Sequence, residues 1–120
     1  MAIINYLKEE LDNELDVNMK SVLTGIKKFD VLTHDIDGEL YVTLFHGTSK
    51  KNFNKIMKTG KLFANTYFAA DQETSKRYAQ MTGGTPVVDT ITIKADALSF
   101  NGYYFSSNRE VKRYSGNLYK

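Results

Sequence analysis

One histidine, two tyrosines, a serine and a glutamate stand where chemistry could use them. His46 lies in Leu44-Phe45-His46-Gly47-Thr48, an apolar run that ends in a histidine and a glycine. A strand there would hold the imidazole rigidly at its mouth. Gly47, with no side chain, lets a ligand come close to the backbone N–H and carbonyl. Tyr67 sits in Thr66-Tyr67-Phe68-Ala69, and Tyr78 follows eleven residues later. On a strand end and on the second turn of a helix, the two rings could clamp a planar ring between them. Ser75 precedes Tyr78 by three residues and shares its helix face. Glu110 opens a short late strand behind Asn108-Arg109. Each feature also has a plain structural reading: a strand-end histidine by a turn glycine, two core tyrosines with an exposed serine, a glutamate solvated or paired with Arg109. Taken singly, the structural reading is the stronger in each case.

Local signals define the elements that must position these residues. Ile3, Leu7, Leu11 and Leu15 recur at spacing four, and Val22, Leu23 and Ile26 extend an apolar face. Residues 3–29 therefore read as helical, broken near Asp12-Asn13 or Asp16 and weakened at Gly25. Residues 31–36 and 40–45 are β-rich, and Asp37-Gly38 between them suits a tight hairpin turn. Ser49 is an N-cap for a helix reaching Lys58, with Phe53, Ile56 and Met57 inward and Gly60 as its stop. Residues 66–69 read as a short strand. Asp71 caps a helix over 72–81, and Thr82-Gly83-Gly84-Thr85-Pro86 is a loop. Residues 87–93 alternate at period two, with Val87, Ile91 and Ile93 facing inward. Two short strands follow near 103–105 and 110–114. The pattern predicts an α+β fold with a mostly antiparallel or mixed sheet.

At 120 residues and 13.7 kDa the chain fits one domain. We expect a helical segment over 1–30 packed on a core over 31–120. The chain has no cysteine and only two histidines, His34 and His46. A disulfide scaffold, a thiolate zinc site and a cysteine nucleophile are excluded, and a histidine-rich metal site is not expected. No apolar run is long enough to cross a membrane, and the first residues lack the pattern of a secretory leader, so a cytoplasmic chain is expected. Residues 1–30 hold four lysines and six acids, whereas 31–120 hold twelve basic and eight acidic residues. A basic body suits a polyanionic ligand such as a dinucleotide or a nucleic acid, although solubility alone would also explain it.

In order and spacing, the three groups resemble the motifs of the ADP-ribosyltransferase superfamily, in its diphtheria-toxin and poly(ADP-ribose) polymerase branch marked by His, Tyr, Tyr and Glu. Leu44-Phe45-His46-Gly47-Thr48, then Asn52-Phe53, Ile56 and Gly60, resembles the first motif. Thr66-Tyr67-Phe68-Ala69 with Ser75 and Tyr78 resembles the second, including its interval of ten residues between tyrosines. Asn108-Arg109-Glu110 with Tyr114 resembles the third, a catalytic glutamate opening a late strand. The likeness spans roughly residues 40–114. The stretch from Tyr78 to Glu110 is short, without the insertions of the larger polymerases. Position 108 is Asn where arginine-modifying relatives carry Glu or Gln, and no Arg-Ser pair replaces the His-Tyr set. Arginine is therefore not the expected acceptor.

The resemblance implies a split β core that binds NAD+ as a substrate and cleaves the bond between nicotinamide and ribose, with no metal. By that likeness His46 bonds a ribose hydroxyl, and Gly47, Thr48 and Ser75 belong to the NAD+ site, Gly47 and Ser75 holding the carboxamide. Tyr67 and Tyr78 sandwich the nicotinamide, and Glu110 is the catalytic carboxylate, with His46 and Tyr78 beside it. Lys50, Lys51 and Lys55 flank the first motif, where they would meet the diphosphate or simply face water. The expected activity is mono-ADP-ribosyl transfer to a macromolecule, protein first and nucleic acid second. So small an enzyme resembles effectors encoded by phages or bacteria. Two alternatives stay open: an NAD+ glycohydrolase, and a non-catalytic NAD+, ADP-ribose or protein-binding module that kept the fold. A tRNA 2′-phosphotransferase fits less well, because its Arg-rich site set is not visible.

Overall fold

Asp37 and Gly38 both adopt positive φ, 53° and 80°. That is the backbone a two-residue hairpin needs if its turn is to match the twist of its strands. In this computed structural model, which describes residues 17–112 and 118–119, the turn joins β1 (Thr33–Ile36) to β2 (Glu39–Ser49). β2 pairs antiparallel with β5 (Pro86–Lys94), from Tyr41↔Lys94 to Ser49↔Pro86. β9 (Leu118–Tyr119) adds to β5 in parallel, so the main sheet runs β1-β2-β5-β9. A second, antiparallel sheet runs β4 (Tyr67–Phe68), β7 (Phe105–Ser107), β6 (Leu98–Phe100), and β3 (Lys61–Leu62) pairs antiparallel with β8 (Val111–Lys112). The described residues also form three α-helices, α1 (Val17–Lys28), α2 (Lys50–Thr59) and α3 (Gln72–Met81), and a 3₁₀ turn over Ala95–Ala97. The class is α+β. No described helix is long and apolar enough to cross a membrane.

The core lies where the two larger sheets meet α1. Leu40, Val42 and Leu44 of β2 face it together with Ile91 and Ile93 of β5, in register as Val42↔Ile93 and Leu44↔Ile91. Phe68, Leu98 and Phe105 close it from the second sheet, and Met19, Val22, Leu23 and Ile26 from α1. Spacings of three and four put those four side chains on one helix face. Gly25 shares that face. A Cβ there would lie 2.8 Å from the rings of Phe100 and Phe105. The residue that sequence marks as a weak point in the helix is the seat of two aromatic rings.

The caps form as their residue types imply. Ser49 Oγ accepts from the Asn52 amide at 3.2 Å, and Gly60, at φ 68°, ends α2 with its N–H on the Ile56 carbonyl. Asp71 accepts from the Thr74 amide at 2.8 Å.

Several expectations shift. β2 does not stop at Phe45 but runs on to Ser49, because residues 86–90 supply the antiparallel partners. His46 and Gly47 therefore sit within a ladder and not beyond a strand end. Val87 is only half-buried opposite Thr48, outside the core that encloses Ile91 and Ile93. Met57 is 45% exposed and no residue of α2 is fully buried. Of the three apolar residues expected to face inward there, Ile56 packs on the core. Tyr103 lies in the β6–β7 turn, where the Asn101 side chain accepts from the Tyr103 and Tyr104 amides, so the strand starts at Phe105. The expected helix over residues 3–15 and the end of the last strand, residues 113–114, lie outside the described residues.

Candidate active site

The site opens where β2 and β4 diverge. Phe45 and Ala69 exchange both backbone hydrogen bonds, at 2.9 and 2.8 Å. Two residues further along that antiparallel register, Gly47 would face Tyr67. The bridge stops at Phe45 and Ala69, the Tyr67 carbonyl meets the His46 imidazole, and the strands part. Backbone groups of alternate strand residues point to opposite edges. The Gly47 N–H and carbonyl thus face the edge that Phe45 uses, away from β5 and into the gap. Lys50, on the other alternation, donates to Thr85. The gap is a cleft of about 570 Å³.

His46, Gly47, Thr48, Tyr67, Ser75 and Tyr78 all line this cleft. Tyr67 and Tyr78 are 53% and 39% exposed, so neither is a core tyrosine. Ser75 is the reverse: it is 1% exposed, and its hydroxyl has no hydrogen-bond partner. A buried hydroxyl left unpaired costs about 1–3 kcal/mol, which a polar ligand group could recover. Packing requires glycine at position 47. A Cβ there would overlap the Ser75 carbonyl oxygen and lie 2.9 Å from its carbon and 3.0 Å from the Ala79 nitrogen. The backbone of α3 rests directly on β2 at this point, which draws Ser75 and Tyr78 to the cleft.

His46 Nδ1 lies 3.1 Å from the Tyr67 carbonyl. The carbonyl can only accept, so Nδ1 carries the proton and Nε2 keeps its lone pair. Burial pushes the imidazole below the ordinary histidine range, while the Tyr67 carbonyl and the Asp89 carboxylate pull the other way. Protonating His46 therefore costs more in the folded than in the unfolded chain. Its contribution to stability is full above the unfolded value of about 6.5 and is lost as pH falls through the lower folded value. The melting temperature of wild type should fall more steeply from pH 7 to pH 5 than that of His46→Gln. Parallel profiles would contradict this environment.

Glu110 stands apart from the lining. Its side chain is 47% exposed, and Oε1 lies 3.9 Å from Nζ of Lys61, which does line the cleft. The pairing of β8 with β3 brings it to the rim. Its neighbours hold the backbone there. Asn108 donates to the Asp96 and Leu98 carbonyls, and Arg109 pairs with Asp96 at 2.8 Å. Asn108, which occupies the position of the arginine-directing residue in the resemblance, is thus engaged as a structural clamp.

Of the lysines singled out in the sequence, Lys55 lines the cleft, and Lys50 and Lys51 do not. Nothing in the sequence singles out Lys61, because its place depends on the β3–β8 pairing. The one local hint is Gly60, whose left-handed cap turns the chain back immediately before it. Nor does the sequence single out Ser107. Fully buried, it accepts from the Thr66 amide and donates to the Phe63 carbonyl, which fastens the loop at the cleft's rim to β7. The lining holds two lysines and no carboxylate. Among the described residues, no group of three or more His, Asp or Glu side chains could hold a metal ion. No protein-family model matches the chain, and no curated protein or solved structure matches it.

Proposed function

We propose that this chain is an NAD+-dependent mono-ADP-ribosyltransferase built on an ADP-ribosyltransferase-type split core. The observation that carries the reading is the cleft between β2 and β4. It gathers His46, Tyr67 and Tyr78 with the open Gly47 backbone and the unpartnered Ser75 hydroxyl. Each finds a use on NAD+. The exposed tyrosine faces suit a cationic pyridinium. The Ser75 hydroxyl and the Gly47 N–H and carbonyl match the carboxamide, which both donates and accepts. Neutral His46 offers Nε2 to a ribose hydroxyl. Lys55 and Lys61 suit the diphosphate, and no lining carboxylate opposes it.

In the reaction, the bond between ribose C1′ and the nicotinamide nitrogen breaks. Its electron pair neutralises the pyridinium, and positive charge develops on the ribose as an oxocarbenium ion. The Glu110 carboxylate stabilises that charge. A lone pair of the acceptor then bonds to C1′, and its proton leaves by way of Glu110. Glu110 must first exchange Lys61. An exposed ion pair of this kind is worth only about 0–1 kcal/mol, so a diphosphate that takes Lys61 releases the carboxylate at little cost.

One observation favours a second reading, a module that binds NAD+ or ADP-ribose without turning it over: Glu110 lies outside the lining. Nicotinamide release separates the two. A glycohydrolase differs from the transferase only in using water, and NAD+ consumption with no labelled macromolecule would identify it.

The binding site has its own test. Tyr67→Ala should weaken NAD+ binding by about 1–3 kcal/mol through lost stacking and burial. Tyr67 is half-exposed, so the fold should survive the change. Calorimetric titration of both proteins with NAD+ measures this, and equal affinities would remove Tyr67 from the site.

A further inference from the structure

We propose that a second hollow, beside the cleft, seats a base of a single-stranded nucleic acid and thereby makes nucleic acid the acceptor. The hollow measures about 230 Å³ and is lined by Phe29, Asp71, Thr74, Tyr78, Tyr103 and Tyr104, among others. It shares Tyr78 with the cleft. Tyr104 meets Tyr67 edge to face, with ring centroids 4.8 Å apart, so one tyrosine pair forms the partition. A base in the hollow would lie across that tyrosine pair from a ligand in the cleft.

The surface has the two components that bind single strands, flat aromatic faces and fixed positive charge. Tyr103 is 83% exposed and Phe29 38%. The Lys28 ammonium stands 5.4 Å from the Phe29 ring centroid and 5.9 Å from that of Tyr103. It donates to the Gly102 carbonyl at 3.0 Å, which fixes it beside both rings. The one carboxylate in the lining, Asp71, is engaged: its oxygens accept from the Thr74 amide and hydroxyl. The Thr74 amide above all, then the Thr74 hydroxyl and the Arg77 charge, hold that carboxyl below its ordinary range. Asp71 stays negative, so the hollow itself offers a ligand aromatic faces and one anion, and the positive charge lies at its edge, on Lys28 beside the Phe29 and Tyr103 rings. A base on Tyr103 and a phosphate near Lys28 match that pattern better than a peptide, which would look for unsatisfied backbone-type partners.

Only the role of acceptor rests on the NAD+ reading; binding to the hollow does not. The test uses the full chain and two fluorescein-labelled oligonucleotides of roughly 12 nucleotides, one of thymidylate and one of uridylate, followed by anisotropy. At least one should bind, more weakly as salt rises, and the better binder distinguishes DNA from RNA. Tyr103→Ala should raise its Kd about 5–150-fold, the loss expected for one stacked base. Lys28→Met should weaken binding and reduce the salt slope by about one. Neither change should alter NAD+ affinity or the circular dichroism spectrum. The proposal is overturned if neither oligonucleotide binds, if Tyr103→Ala binds as wild type does, or if NAD+ competes for the hollow. It is also overturned if the label transferred from NAD+ in a lysate yields to protease and resists nuclease, a result that leaves the NAD+ reading intact. Oligonucleotide binding without nicotinamide release would instead overturn the enzyme reading and leave the hollow's ligand standing.

Discussion

Glu110→Gln should leave NAD+ bound and nearly stop its cleavage. The carboxylate acts on charge that scarcely exists in ground-state NAD+ and is large in the transition state. Its removal therefore lowers kcat and kcat/KM together while binding changes little. Glutamine keeps the shape and some hydrogen bonding but not the charge. By analogy with deletion of a single oxyanion-hole donor, the rate should drop about 10²–10³-fold. NAD+ affinity should change by less than about tenfold, by the same differential argument. Stability should hardly move, because Glu110 is exposed and its partner in the fold is a 3.9 Å surface contact with Lys61. Steady-state nicotinamide release beside a binding titration reads both numbers. Equal release rates for the two proteins would remove Glu110 from the chemistry.

Gly47→Ala should cost more stability than any conservative change at the rim of the cleft. The added methyl overlaps the Ser75 carbonyl oxygen, and the atoms around it belong to the backbone of α3. No flexible side chain can give way, so helix and strand must separate. Overpacking typically costs about 1–3 kcal/mol and occasionally more, and a clash of backbone on backbone belongs at the upper end. A loss of about 3 kcal/mol would lower Tm by roughly 10 °C or more in a chain of this size. Because α3 carries Ser75 and Tyr78 to the cleft, NAD+ binding should fall with it. A variant that melts with wild type would mean that α3 does not rest on β2 at Gly47.

What could be read from the sequence was local. Asp37-Gly38, Ser49, Gly60 and Asp71 announce a turn and three caps because each acts through its own backbone or one a few residues away. The alternation at Ile91 and Ile93 and the apolar face of Val22, Leu23 and Ile26 point to the core for the same reason. The parts that stayed hidden depend on distant pairing. β2 reaches Ser49 only because Pro86 and its neighbours lie alongside, and Lys61 joins the cleft only because β8 returns to β3. Gly25 reads in the sequence as a weak point in a helix and Gly47 as room for a ligand, yet each answers a close approach within the fold, of two rings in one case and a helix backbone in the other. Ser75 could be named in advance, but its burial without a partner could not.

The most direct measurement is incubation of wild type with NAD+ labelled on the adenylate, in the presence of a cell lysate, while free nicotinamide and macromolecule-bound label are both counted. The expected result is nicotinamide released in step with label fixed to a macromolecule, both nearly abolished by Glu110→Gln. Nicotinamide no higher than in the protein-free blank, from a chain that binds NAD+, would contradict the enzyme.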